Sequence, residues 1–139
     1  MLLAEQGKIA DPEVPGRMHY YAAGLQALAE NRNEDALASF REVQRCPRTI
    51  QEIDLLEDCL GDAYLKLGRL EEAIAEYRRV LSSLLSEPIV HFHLAQAYER
   101  KGLRQQSKAE YQSFLNIWSQ ADERLPELIA AKASLRTLQ

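Results

Sequence analysis

The chain has 139 residues, 46% hydrophobic and 27% charged, with a formal net charge of −4. That length suits one domain, and the acidic balance argues against nucleic acid or an anionic membrane as partner, since both need clustered Lys and Arg. No apolar run approaches the ~18 residues of a membrane span, and the start, MLLAEQGKIADPE, lacks the basic and long apolar regions of a secretory signal.

Residues 1–16 mix Leu2, Leu3 and Ile9 with Pro12, Pro15 and Gly16, and read as a linker or the remnant of a preceding segment. Apolar residues then recur at three and four, predicting helices over Arg17–Glu30 and Asn33–Cys46. Thr49 and Glu52 form a capping box, so the next helix is expected over about Ile50–Leu67. Further helices are predicted over Arg69–Leu84, Pro88–Lys101 and Leu103–Ser119. Between paired helices stand AENRNED, KLGRLEE and RKGLRQQ. Asn31, Gly68 and Gly102 hold one place in these turns, and Gly and Asn tolerate the left-handed conformation that stops a helix. In residues 122–139, Leu125, Leu128, Ala131, Leu135 and Leu138 keep helical spacing, and Pro126 suits a first turn. This segment reads as a capping helix over the stripe of Tyr111, Leu115 and Trp118. Cys46 and Cys59 read as free thiols of a reducing, cytoplasmic setting.

A helix interior disfavours glycine by about 1 kcal/mol relative to alanine, so Gly61 needs a reason. The group Gly61, Tyr64, Ala73, Tyr77 recurs upstream as Gly24, Ala27, Ala36, Phe40 and downstream as Ala95, Tyr98, Ser107, Tyr111. The steps are 37 and 34 residues, and each position keeps its size class. Small residues are expected where antiparallel helices meet, with aromatic rings beside them. The pattern Leu60-Gly61-x₂-Tyr64…Ala73-x₃-Tyr77 resembles the tetratricopeptide (TPR) repeat. The flanking units, Tyr20-x₂-Ala23-Gly24-x₂-Ala27…Ala36-x₃-Phe40 and His91-x₂-Leu94-Ala95-x₂-Tyr98…Ser107-x₃-Tyr111, resemble it less closely.

The resemblance implies an all-α helix-turn-helix solenoid, a right-handed superhelix of three repeats over 17–50, 54–87 and 88–121, with 122–139 as the C-terminal capping helix. The tail is also similar to those closing TPR segments at the C-termini of large bacterial signalling proteins. In the family, the first helices of successive repeats line a groove that holds a partner's peptide or helix. Carried onto this chain, groove residues are Met18, Tyr21, Leu25 and Leu28, then Leu55, Asp58, Asp62 and Leu65, then Ile89, Phe92, Gln96 and Glu99, with Cys59 and His93 beside them. The family's carboxylate clamp of Lys, Asn and Arg is missing, because Tyr21, Leu25, Cys59, Ile89 and His93 stand at the matching places. A chaperone-tail receptor is therefore not expected.

What stands there is apolar at one end and acidic in the middle. Asp54, Asp58 and Asp62 are spaced i, i+4, i+8, and like charges so placed cost about 0.2–0.5 kcal/mol per pair. A solvated acidic face and a site for a basic, partly apolar segment both fit. His91 and His93 point about 200° apart on a helix and cannot easily share a metal. No nucleophile–base pairing or phosphate loop can be assembled, so no enzyme, cofactor or metal is expected. Two readings stay open: a module binding a peptide or helix of a partner, or of its own parent protein, and a structural spacer or homo-oligomerisation domain, a homodimer for instance, with no specific groove ligand.

Overall fold

Three turns stop the helix pairs in the same way. Asn31, Gly68 and Gly102 have φ of 59°, 74° and 81°. Just beyond each, a backbone N–H reaches five residues back: Arg32 to Ala27 O, Arg69 to Tyr64 O and Leu103 to Tyr98 O, at 2.8–2.9 Å. This is the left-handed helix stop expected of Gly and Asn. The computed structural model describes residues 15–46, 56–83 and 87–139. Among them are seven helices and no strand, an all-α fold. None of the described helices is long and apolar enough to cross a membrane.

The chain divides into two units, Met1–Ile53 and Asp54–Gln139. The first holds α1 (Arg17–Ala29) and α2 (Asn33–Arg45), packed as a pair. Ala27, Ala36, Leu37, Phe40 and Val43 are its buried apolar residues. A Cβ on Gly24 would lie 2.5 Å from Phe40 Cε1, so the ring occupies the space a side chain would need.

The second unit holds α3 (Cys59–Lys66), α4 (Leu70–Ser82), α5 (Pro88–Lys101), α6 (Arg104–Ile117) and α7 (Pro126–Thr137), each packed on the next. A Cβ on Gly61 would meet Tyr77 Cε1 at 2.8 Å. Ala73, Tyr77 and Ala95 are fully buried, and the buried Ser107 hydroxyl donates to Ala95 O at 2.8 Å. Pro88 and Pro126 occupy the first turns of α5 and α7, where a missing N–H costs nothing.

The start of α3 departs from expectation. Residues 56–58 form a turn, closed by Cys59 N–H to Leu56 O at 3.4 Å. This i to i+3 bond winds more tightly than an α-helix, and Leu56 stays buried. Asp62 thus stands in the first turn of α3 rather than deep in a long helix. The capping box of Thr49 and Glu52, with Asp54 and Leu55, lies outside the described residues.

Helix α7 places Leu128 and Ala131 in one core with Phe92, Ala95, Tyr111 and Phe114. Leu115, Trp118, Leu125, Leu135 and Leu138 pack around it. Phe92 is 5% exposed, its centroid 5.3 Å from Phe114 and 5.9 Å from Tyr111. The ring expected to face a groove is therefore a core residue, because the second half of its own repeat and α7 offer it an apolar enclosure.

Candidate functional site: the α3–α5 acidic face

The α3 and α5 side chains form two adjoining features. The first is a charged cluster. Asp58 flanks α3, and Asp62 sits one turn on, its N–H donating to Asp58 O at 2.9 Å. Both side chains are half-buried. From α4, the Tyr77 hydroxyl donates to Asp62 Oδ1 at 2.6 Å. From α5, His93 Nδ1 lies 2.9 Å from the same oxygen, but the approach is too oblique for an aligned hydrogen bond. No Lys or Arg among the described residues forms an ion pair with either aspartate.

The electrostatics follow from this crowding. Burial, then the like charge of Asp62, pushes the Asp58 carboxyl up to about 6. Burial, with Asp58 and Asp62 adding, pushes the Cys59 thiol up to about 12, so it stays protonated. Burial also raises Tyr77, and Asp62 adds to it. At His93 burial acts downward, but Asp62 and then Asp58 outweigh it, and the imidazole rises above its ordinary 6.5. The N-terminal end of α3 favours a carboxylate at Asp62, which the longer helix expected from sequence did not allow.

The second feature is a recess of about 220 Å³. Leu65 of α3, Gln96, Glu99 and Arg100 of α5, Tyr111 of α6, and Ala130 and Ser134 of α7 line it. Tyr111 donates to Glu99 Oε2 at 2.6 Å, and Arg100 reaches Leu65 O at 2.7 Å. A larger, open hollow of about 700 Å³ lies elsewhere, where Glu71, Ile74, Arg78, Tyr98 and Lys101 meet. The Glu71–Lys101 ion pair crosses it.

The structure thus gathers Asp58, Asp62, Leu65, Gln96 and Glu99, with Cys59 buried alongside and His93 within the cluster. Ile89 is only partly buried and packs on the α5–α7 core. In the first unit, Met18 and Leu25 are 58% and 46% exposed, while Tyr21 and Leu28 are half-buried. Tyr21 packs on Phe40, centroids 6.1 Å apart. The histidines of the HxH run diverge as the helical turn requires, His91 Nδ1 lying 2.6 Å from Glu110 Oε2 on α6. The fold brings Asp58 and Asp62 to His93, with all donor atoms within 4.8 Å of one another.

Residues 61–102 match the TPR repeat family. The chain therefore carries a TPR repeat there, spanning α3, α4 and α5. The fold is similar to that of PcrH from Pseudomonas aeruginosa, at TM-score 0.73 and 19% identity over 88% of this chain and 90% of that one. It is similar to the Yersinia enterocolitica type III secretion translocator chaperone SycD, at TM-score 0.74 and 17% identity over 88% and 90%. It is also similar to MamA from Desulfovibrio magneticus RS-1, at TM-score 0.61 and 12% identity over 88% and 73%. At these identities the likeness is one of fold. No curated protein matches the chain in sequence.

Proposed function

We propose that this chain is a non-enzymatic protein-interaction module. Its α3–α5 face takes a basic, partly apolar peptide or helix, from a partner or from its own parent protein. The observation that carries this is Asp58: a half-buried carboxylate beside a second one, with its ionised form penalised and no Lys or Arg among the described residues paired to it. A packing or solubility role is met better by Asn or by an exposed acid. A cationic partner side chain supplies the missing charge. The SycD likeness supports a chaperone-type role, since that relative is a translocator chaperone. Two free thiols support a cytoplasmic setting.

In the first unit, Met18, Tyr21, Leu25 and Leu28 of α1 recur at three and four and form an apolar stripe of their own. Large exposed apolar side chains also favour a second reading, self-association through α1. A peptide array of amphipathic helices, edged with Lys/Arg or with Glu, separates the readings. Wild type should retain the basic set. Asp58→Asn/Asp62→Asn should weaken retention mainly at low salt, as the Debye length is ~10 Å at 0.1 M and ~3 Å at 1 M. Basic peptides held equally by both proteins would assign binding to another surface. A dimer dispersed by Leu25→Glu, with no peptide retained, would establish self-association instead.

A further inference from the structure

We propose that Asp58, Asp62 and His93 bind one divalent cation of the zinc type. The donors come from two helices: two carboxylates one turn apart at the start of α3, and one imidazole from α5. Their ligand atoms all lie within 4.8 Å of one another. Zinc bonds of ~2.0–2.2 Å set tetrahedral donors about 3.4 Å apart, so closure needs side-chain adjustment of about an ångström.

Three further observations point to a cation. His93 Nδ1 is shielded from solvent and faces the carboxylates, 2.9 Å from Asp62 Oδ1 without an aligned hydrogen bond. Tyr77 donates to Asp62 Oδ1 at 2.6 Å, the kind of outer contact that fixes a ligating carboxylate. Among the described residues, no Lys or Arg forms an ion pair with the aspartates. The imidazole disfavours Mg²⁺ and Ca²⁺, which prefer all-oxygen sites, and mixed carboxylate–imidazole donors suit Zn²⁺. Three protein donors leave a fourth position open to water. Binding sends any imidazole proton to solvent. His91 supplies an internal comparison, because it faces one carboxylate, Glu110 at 2.6 Å, where His93 faces two.

This goes beyond the partner-binding reading and is tested without any partner. Chelator-stripped full-length protein is titrated calorimetrically with ZnCl₂, and with MgCl₂ as comparator. One Zn²⁺ should bind per chain, with at most weak Mg²⁺ binding. Affinity should fall at least about tenfold in Asp58→Asn and His93→Gln, fall in Tyr77→Phe, and persist in His91→Gln. Because a variant can misfold, ring-nitrogen NMR of the wild type supplies a second measurement. Zn²⁺ should move the His93 signals and leave those of His19 and His91 in place. Unmoved His93 signals, no binding tighter than about 1 mM, or binding lost on replacing Cys46 or Cys59 instead, would overturn the proposal.

Discussion

Asp58→Asn tests whether the acidic face is held at the expense of stability. The substitution keeps shape and removes only the charge. In the folded chain burial and Asp62 raise the carboxyl from its ordinary 3.8 to about 6. At ~1.4 kcal/mol per tenfold in proton affinity, that penalises the ionised form by about 3 kcal/mol. Partial exposure and screening reduce this, and about 1–2 kcal/mol is the expected effect. The sign follows from linkage. Between pH 4 and 6 the folded state binds the proton more tightly than the unfolded chain, so wild-type stability falls as pH rises. Asn carries no such penalty. The variant should match wild type near pH 4 and exceed it by about 1–2 kcal/mol at pH 6 and above. Urea unfolding in chelator, followed by fluorescence of Trp118, reads the same unit that holds Asp58. A variant less stable at pH 6, or a difference constant with pH, would refute the reasoning. The carboxylate would then be structural and the case for a functional acidic face would fail.

The remaining predictions concern packing and reactivity. Ala73→Leu should cost about 1–3 kcal/mol through overpacking at a residue with 0% exposure, whereas Glu72→Leu on the outer face should leave the urea midpoint in place. Deleting residues 122–139 should bare Phe92, Tyr111 and Phe114 and produce self-association on gel filtration, since Leu128 alone contributes about 1.5–3 kcal/mol of burial. Cys46 should react with a maleimide in the folded protein, and Cys59, buried with its thiol pushed up to about 12, only on unfolding.

Much of the fold is legible because the repeat writes one packing solution three times. Gly24 and Gly61 stand against Phe40 and Tyr77, and Asn31, Gly68 and Gly102 stop the first helices at matching points. Size class and turn chemistry are local properties, visible in single residues. The departures at Phe92 and at the Asp58–Asp62–His93 cluster are non-local. Phe92 was assigned to a groove by register, but register does not report that α7 closes an apolar core around that ring. The turn at residues 56–58 interrupts a run whose apolar spacing reads as helix. Asp58 and Asp62 are four residues apart, but His93 lies 31 residues beyond Asp62, so no local spacing motif joins the three. The signal that could have found them is the repeat itself, since residues on successive first helices are neighbours and His93 was already placed beside the aspartates.

The packing residues and the site are linked rather than separate. Gly61 and Asp62 are adjacent in sequence and both meet Tyr77. The missing Cβ of Gly61 admits the ring, and the ring's hydroxyl reaches the Asp62 carboxylate at 2.6 Å. A side chain at position 61 would push the ring, and the ring would carry Asp62 with it, because its buried position leaves no slack. The next repeat builds the same kind of bond differently: Tyr111 reaches Glu99, at a position with no counterpart in the Gly61–Asp62 pair. In the last two repeats the tyrosine of the second helix therefore fills the core and aims one carboxylate of the first helix, whereas Phe40 in the first repeat only fills the core. Which carboxylate is aimed differs between these two repeats, so one packing rule presents a different charged surface in each.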